Sequence, residues 1–391
     1  MVDEERAWAD TPGAQQTAFL DSAGSSLPPT PVLDEVIAHL RREAEVGGYR
    51  AAAERAEDLT GLRTSLATLI GSDDPGTIAL TDSATRAWTQ FFYSVPLREG
   101  DRILIGQAEY ASNAVALIQR ARQTGAVIEA IPSDPLGRLD VRALEERLDE
   151  RVRLVSLVHV PTNGGLVNPV REVCDLVHRV GGLVLLDACQ SVGQLNVDVG
   201  RLDVDALSVT GRKWLRAPRG TGFLYVRPDL IRELEPPAID LHSAQWISPD
   251  DYRLADDARR FELWEADIAG RLGLKRAVDY LLELGVDDVE ATVRAKADRL
   301  RAGLSDLPGV TVTDLGTERC GIVTFTVAGR SPEQVRDRLR EQGVIVSVSY
   351  AYSTLLDMTS RELDSVVRAS PHYFVSDAQL AAMLAALRQM L

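Results

Sequence analysis

The chain has 391 residues, 45% of them hydrophobic and 26% charged, which is enough apolar material for a sizeable core and, at roughly 100 to 200 residues per unit, a length for two or three structural units. Its formal charge of −15 disfavours bulk attraction to nucleic acid or an anionic membrane and leaves a small molecule as the expected partner. Cys174, Cys189 and Cys320 show no CxxC spacing, the N-terminus lacks a basic start and apolar run, and no stretch approaches the ~20 apolar residues of a membrane span, so a reducing cytoplasm is the expected compartment.

Residues 1–30 are read as an N-terminal segment that packs with a smaller C-terminal domain. From there to residue 284, short apolar runs alternate with helical spacing. The runs Thr77–Leu80, Arg102–Ile105, Val127–Ile131, Leu154–Val160, Gly182–Asp187, Ala206–Thr210 and Phe223–Val226 read as strands. Ala84–Val95, Asn113–Thr124 and Val170–Val180 carry apolar residues three and four apart and read as helices. Such alternation predicts an α/β fold, a large domain (31–284) around a mostly parallel seven-stranded sheet covered on both faces. A Pro-rich, aromatic loop (Pro236, Pro237, Trp246, Pro249) and a helix from about Ala266 to Leu284 lead into a smaller α+β unit (285–391). There the pattern predicts helices at Val289–Leu304 and Pro332–Gln342 and strands near Val310–Val312, Gly321–Val327 and Val344–Val348.

The most informative stretch is Leu183-Val-Leu-Leu-Asp187-Ala-Cys-Gln190, an apolar strand that ends in a carboxylate, followed by Thr210-Gly-Arg-Lys213 at the end of another strand. Open α/β sheets bind ligands at the carboxyl ends of their strands, so acid and lysine can share one site. Pyridoxal phosphate (PLP) calls for this pair: a lysine to form the imine and a carboxylate to keep the pyridine nitrogen protonated. Of the three lysines, Lys275 and Lys296 sit in polar helical patterns and read as surface residues, whereas Lys213 is flanked by a strand and glycines. A nicotinamide enzyme is disfavoured because Gly220-Thr-Gly222 precedes a strand, and a metalloenzyme because the five histidines show no ligand spacing.

The chain resembles the class V aminotransferases, fold-type I PLP enzymes that include cysteine desulfurases, selenocysteine lyases and isopenicillin N epimerase. The resemblance runs through Phe19-Leu-Asp-Ser-Ala23, Thr81-Asp-Ser-Ala-Thr85, Glu109-Tyr-Ala-Ser-Asn113, His159-Val-Pro-Thr-Asn-Gly-Gly165, Asp187-Ala-Cys-Gln190, Gly211-Arg-Lys213, Pro218-Arg-Gly-Thr-Gly222, Arg260-Phe-Glu262 and Val367-Arg-Ala-Ser370. It implies that Lys213 holds PLP as a Schiff base and acts as the catalytic lysine, that Asp187 pairs with the pyridine nitrogen, that Gln190 donates to the phenolate oxygen and that Tyr110 stacks on the ring. Ser83, Ala84 and Thr85, opening a helix, and Thr210 and Arg212 are expected around the phosphate. Arg368 is expected to grip the α-carboxylate of an amino-acid substrate, with Ala23 and Tyr352 beside it, and either Thr162 or Asn163 to lie next to the cofactor.

Two departures matter. The stretch Ser347-Val-Ser-Tyr-Ala-Tyr-Ser-Thr354, where desulfurases carry their nucleophilic cysteine, contains none. Leu263-Trp264-Glu265 replaces the threonine that in desulfurases reaches a partner's phosphate, although a homodimer is still implied. Glu43-Ala-Glu-Val-Gly-Gly-Tyr49 and Gly-Arg-Lys-Trp214 are most similar to the C–S lyases of ergothioneine biosynthesis and their lincosamide-pathway relatives. The expectation is a β-elimination from an S-conjugated cysteine, with decarboxylating deamination of the same conjugate, transamination or epimerisation as alternatives, and with Tyr49, Trp88 and Tyr350 as further candidates for shaping the pocket.

Overall fold

Near-continuous Val, Leu and Ile runs are what a strand needs when both of its faces are covered, and six such runs together with the more exposed edge run Val127–Ile131 form one sheet in the computed structural model, which describes residues 2–391. They are β1 (Ile78–Thr81), β2 (Arg102–Gly106), β3 (Val127–Ile131), β4 (Val152–Val158), β5 (Leu183–Asp187), β6 (Ala206–Thr210) and β7 (Gly222–Val226). Their order is β1-β7-β6-β5-β4-β2-β3, and β7 alone runs antiparallel to its neighbours. The fold is therefore of the α/β class with a mostly parallel seven-stranded sheet. Helices Ala84–Ser94, Ala111–Thr124 and Val170–His178 connect the strands, and Gly125, left-handed at φ 76°, ends the second of them.

Before this sheet, helices Thr30–Val46 and Ala56–Leu69 pack against Ile268–Leu284. After it, a four-stranded antiparallel sheet has the order Val310–Val312, Val323–Val327, Ser365–Ala369, Ser347–Tyr350. Helices Val286–Ser305, Pro332–Glu341 and Asp377–Arg388 accompany it, the last two opened by capping boxes at Ser331 and Ser376. Among the described residues no helix is long and apolar enough to cross a membrane.

Three sequence expectations need correction. The strand read as Val344–Val348 is broken at buried Val346: Val344–Ile345 pairs in parallel with Ala18–Phe19, while Ser347–Tyr350 joins the small sheet. The loop between the sheets contains a hairpin, Ala244–Ser248 with Asp251–Leu254, whose Trp246 is exposed. Lys296 is buried rather than on the surface, because its apolar stem lies on the inner face of its helix and its ammonium reaches Glu4 at 2.8 Å.

Buried His372 joins the sheets. Its Nε2 lies 3.0 Å from the Trp214 carbonyl and its Nδ1 accepts from the Tyr373 N–H, which fixes the neutral tautomer. Burial and the nearby Arg216 push its pKa down to about 3, against about 6.5 in an unfolded chain. The unfolded state thus binds the proton first, so this contribution to stability is intact above pH 6.5 and fades as pH falls towards 3. His372→Gln is expected to lose about 2 kcal/mol less than the parent between pH 7 and 5 in thermal unfolding; parallel pH curves for the two proteins contradict this.

Candidate active site

Parallel pairing of β5 and β6 places Asp187 opposite Ser208, so both strands deliver their last residues to one edge of the sheet. Beyond β6 the chain turns at Gly211, where a Cβ would lie 2.1 Å from Thr221 Oγ1; only glycine permits this turn. Two residues later comes Lys213. Among the described residues its ammonium forms no ion pair, whereas Lys275 meets Asp279 at 2.6 Å and Lys296 meets Glu4. Desolvation holds the Lys213 pKa below the usual lysine value; Arg212 and Arg368 act in the same direction and Cys189 and Asp187 oppose them. A lysine so placed gives up its proton more readily than an exposed one, which favours its use as a nucleophile.

Asp187 is buried. Its Oδ1 accepts from the Cys189 N–H and its Oδ2 from Asn113 Nδ2, both at 3.0 Å, and each oxygen keeps capacity for one more donor. Asn113 also donates to Glu109 at 2.9 Å. Burial raises the Glu109 carboxyl to about 7, against the pull of its hydrogen bonds from Ser156, Asn113 and the Tyr110 N–H. Tyr110 itself is partly exposed, at the start of Ala111–Thr124.

Ser83 caps helix Ala84–Ser94, accepting from the Arg86 N–H at 3.2 Å and donating to Asp82 at 2.7 Å, while Ala84 and Thr85 form the first turn. Gly222 lies against it: a Cβ there would sit 3.0 Å from the Ser83 carbonyl carbon and 3.2 Å from Ala84 N. Arg212 Nη1 donates to Thr210 Oγ1 at 3.0 Å. The turn is anchored from behind by Glu262, whose fully buried carboxylate accepts from the Leu80 N–H at 2.9 Å and meets Arg63 at 2.7 Å and His242 at 3.0 Å.

Arg368 is held from three sides. Nη1 donates to the Thr162 hydroxyl at 2.7 Å and carbonyl at 3.1 Å, Nε to Ser347 at 3.2 Å, and Nη2 lies 3.4 Å from Asp21 Oδ1. The Thr162 hydroxyl also accepts from Gln190 Nε2 at 3.3 Å, and the same Nε2 donates to the Ala23 carbonyl at 3.0 Å. Trp214, adjacent to Lys213, donates to Gln190 Oε1 at 2.9 Å. A continuous chain of hydrogen bonds thus joins the lysine loop to Arg368.

Other expected residues lie apart from that chain. Asn163 turns its amide away, to Asp357 at 2.7 Å, because its backbone is pinned by Thr324. Tyr352 is exposed and stacks on Tyr350 with ring centroids 5.4 Å apart. Tyr49 is also exposed, and Trp88 packs in the core against Phe92 instead of lining a pocket. The side chains of Glu109, Asn113 and Glu262 lie in motifs visible in the sequence, yet nothing in the spacing assigned them roles. Asp21 likewise gave no separate signal.

The class V aminotransferase family model matches residues 18–383. A probable cysteine desulfurase of Methanothermobacter thermautotrophicus is 28% identical over 377 residues, covering 95% of this chain and 94% of that protein. A cysteine desulfurase structure from Escherichia coli superposes with a TM-score of 0.92 at 21% identity over 100% and 98% of the two chains. A cystine C–S lyase solved with its product cysteine persulfide gives 0.88 at 25% identity over 97% and 99%. The half-buried, unpaired lysine, the strand-end carboxylate with acceptor capacity and the capped helix start facing Gly222 form a donor set that fits PLP. The cofactor is PLP.

Because the Lys213 amine is held below its ordinary pKa, uptake of PLP by the cofactor-free protein is expected to reach half its maximal rate at a pH clearly below the ~10.4 of an exposed lysine. Stopped-flow absorbance measures this, and a midpoint at or above that value contradicts the buried-amine geometry.

Proposed function

Since the chain belongs to the class V aminotransferase family and is a PLP-dependent lyase of that class, we propose that it cleaves the Cβ–S bond of an S-conjugated cysteine by β-elimination, releasing a thiol, pyruvate and ammonia. What carries this reading over a desulfurase's sulfur relay is the place of its cysteines. Cys174 and Cys320 are buried, half-buried Cys189 has its thiol pKa raised by desolvation, and Ser347–Thr354 has no cysteine. No thiolate is available to accept sulfur, so the sulfur leaves on its own substituent.

Bound PLP supplies an electron sink for charge that develops at Cα. Arg368 binds the substrate α-carboxylate, its guanidinium fixed by Thr162, Ser347 and Asp21. Lys213 Nζ, whose pKa desolvation lowers, would hold the cofactor and would serve as the general base for the Cα proton. Asp187 keeps the ring nitrogen protonated, and Thr162, whose side chain meets Arg368 and Gln190, takes the contact left open between it and Asn163. Ser83, Ala84, Thr85, Thr210 and Arg212 hold the phosphate. A homodimer belongs to the same reading, supported by exposed Leu241, Trp246 and Trp264 around the hairpin.

The test is mass spectrometry after incubation of PLP-loaded protein with an S-conjugated cysteine. Free thiol with pyruvate is expected; an S-linked aldehyde with carbon dioxide, or unchanged substrate, overturns the elimination reading. Arg368→Lys is expected to lower kcat/KM roughly 10- to 100-fold, chiefly through KM, because a point charge cannot replace the guanidinium fork. Unchanged steady-state constants contradict that role.

A further inference from the structure

Two carboxylates meet behind the lysine, and one amide lies between them. Asn113 Nδ2 has two hydrogens; one goes to Glu109 Oε1 at 2.9 Å, the other to Asp187 Oδ2 at 3.0 Å. Glu109 Oε1 also accepts from the Tyr110 N–H at 2.8 Å, and Oε2 from Ser156 Oγ at 2.7 Å. Glu109, Asn113, Ser156 and Asp187 are all buried, so no solvent competes for these bonds. With both hydrogens committed the amide plane cannot rotate, and Asp187 Oδ2 has one direction from which it is held. Aspartate at 113 would add a third carboxylate and alanine would leave two carboxylates facing each other without a donor.

The geometry points to Glu109 and Asn113 as positioning residues for the cofactor: Glu109 locks the Asn113 amide, and the amide aims Asp187 at the pyridine nitrogen. This rests on Asp187 facing that nitrogen. Ser156 stands on β4, Asp187 on β5 and Asn113 on helix Ala111–Thr124, so the lock also ties the start of that helix, and Tyr110 with it, to the sheet. Asp187 is the charged group that acts on Glu109, and the other groups on it are the neutral donors named above. Above its pKa of about 7 Glu109 is anionic, and a negative Glu109 next to Asp187 favours positive charge on the ring beyond.

The experiment uses the PLP-loaded protein without substrate and reads the pH midpoint of the visible band of lysine-bound cofactor together with the rate of PLP loss to a scavenger. Asn113→Ala and Glu109→Ala are expected to speed loss at least tenfold. Glu109→Gln, which retains the oxygen that Asn113 needs, is expected to restore the parental loss rate while moving the midpoint at least half a pH unit lower, since the charge is gone. Parental loss rates in both alanine variants, or no rescue by glutamine, overturn the proposal. If the alanine variants do not fold, an unchanged midpoint in Glu109→Gln overturns it alone. The parent's visible band, absent in Lys213→Ala, shows separately whether the lysine reading holds.

Discussion

The register between β5 and β6 is the constraint from which the site follows. Parallel strands with Asp187 opposite Ser208 end within two residues of each other, and the chain then has three residues in which to bring a lysine back over the same edge. Gly211 makes that turn possible by lying where any side chain would strike Thr221. A slip of one residue would turn Asp187 to the opposite face of the sheet. Everything else in the site is support for this pair.

That support is mostly polar and mostly buried, a combination that is costly unless every group finds a partner. Glu262 meets the requirement with two arginines, a histidine and a backbone N–H; Asp187 meets it with one amide and one N–H and retains acceptor capacity. The two acids differ in what their satisfaction leaves over. A saturated carboxylate can only hold structure, whereas an incompletely saturated one can still receive a ligand's proton donor.

Much of the fold was legible because the large sheet is written in local signals: Val127–Ile131 and Ala206–Thr210 appear end to end as their apolar runs predict. The run Leu154–Val160 overshoots β4 because Val160 is buried in the core beyond the last strand residue, and hydrophobicity alone does not mark where pairing stops. The break at Val346 and the exposed hairpin at Ala244–Leu254 depend on which distant segment offers an edge, information that no window of sequence contains. At the site, acid and lysine were readable as residue types that a cofactor of this chemistry needs, whereas the arginine came from the family resemblance alone. The outward turn of Asn163 and the shared amide of Asn113 were not, since both depend on partners 194 and 74 positions away.

The clamp around Arg368 draws Asp21 from the N-terminal segment, Thr162 from the loop after β4 and Ser347 from the small sheet. On a ribosome these pieces emerge far apart in time. The sheet edge that carries Asp187 and Lys213 is written in full by residue 226, but the guanidinium of Arg368, proposed above to read the carboxylate, arrives close to the end of synthesis and is fixed only when Ser347 and Asp21 have closed on it. On the proposed reading, the acid and lysine for the coenzyme come from one contiguous stretch of chain, whereas the carboxylate clamp exists in the completed tertiary structure alone.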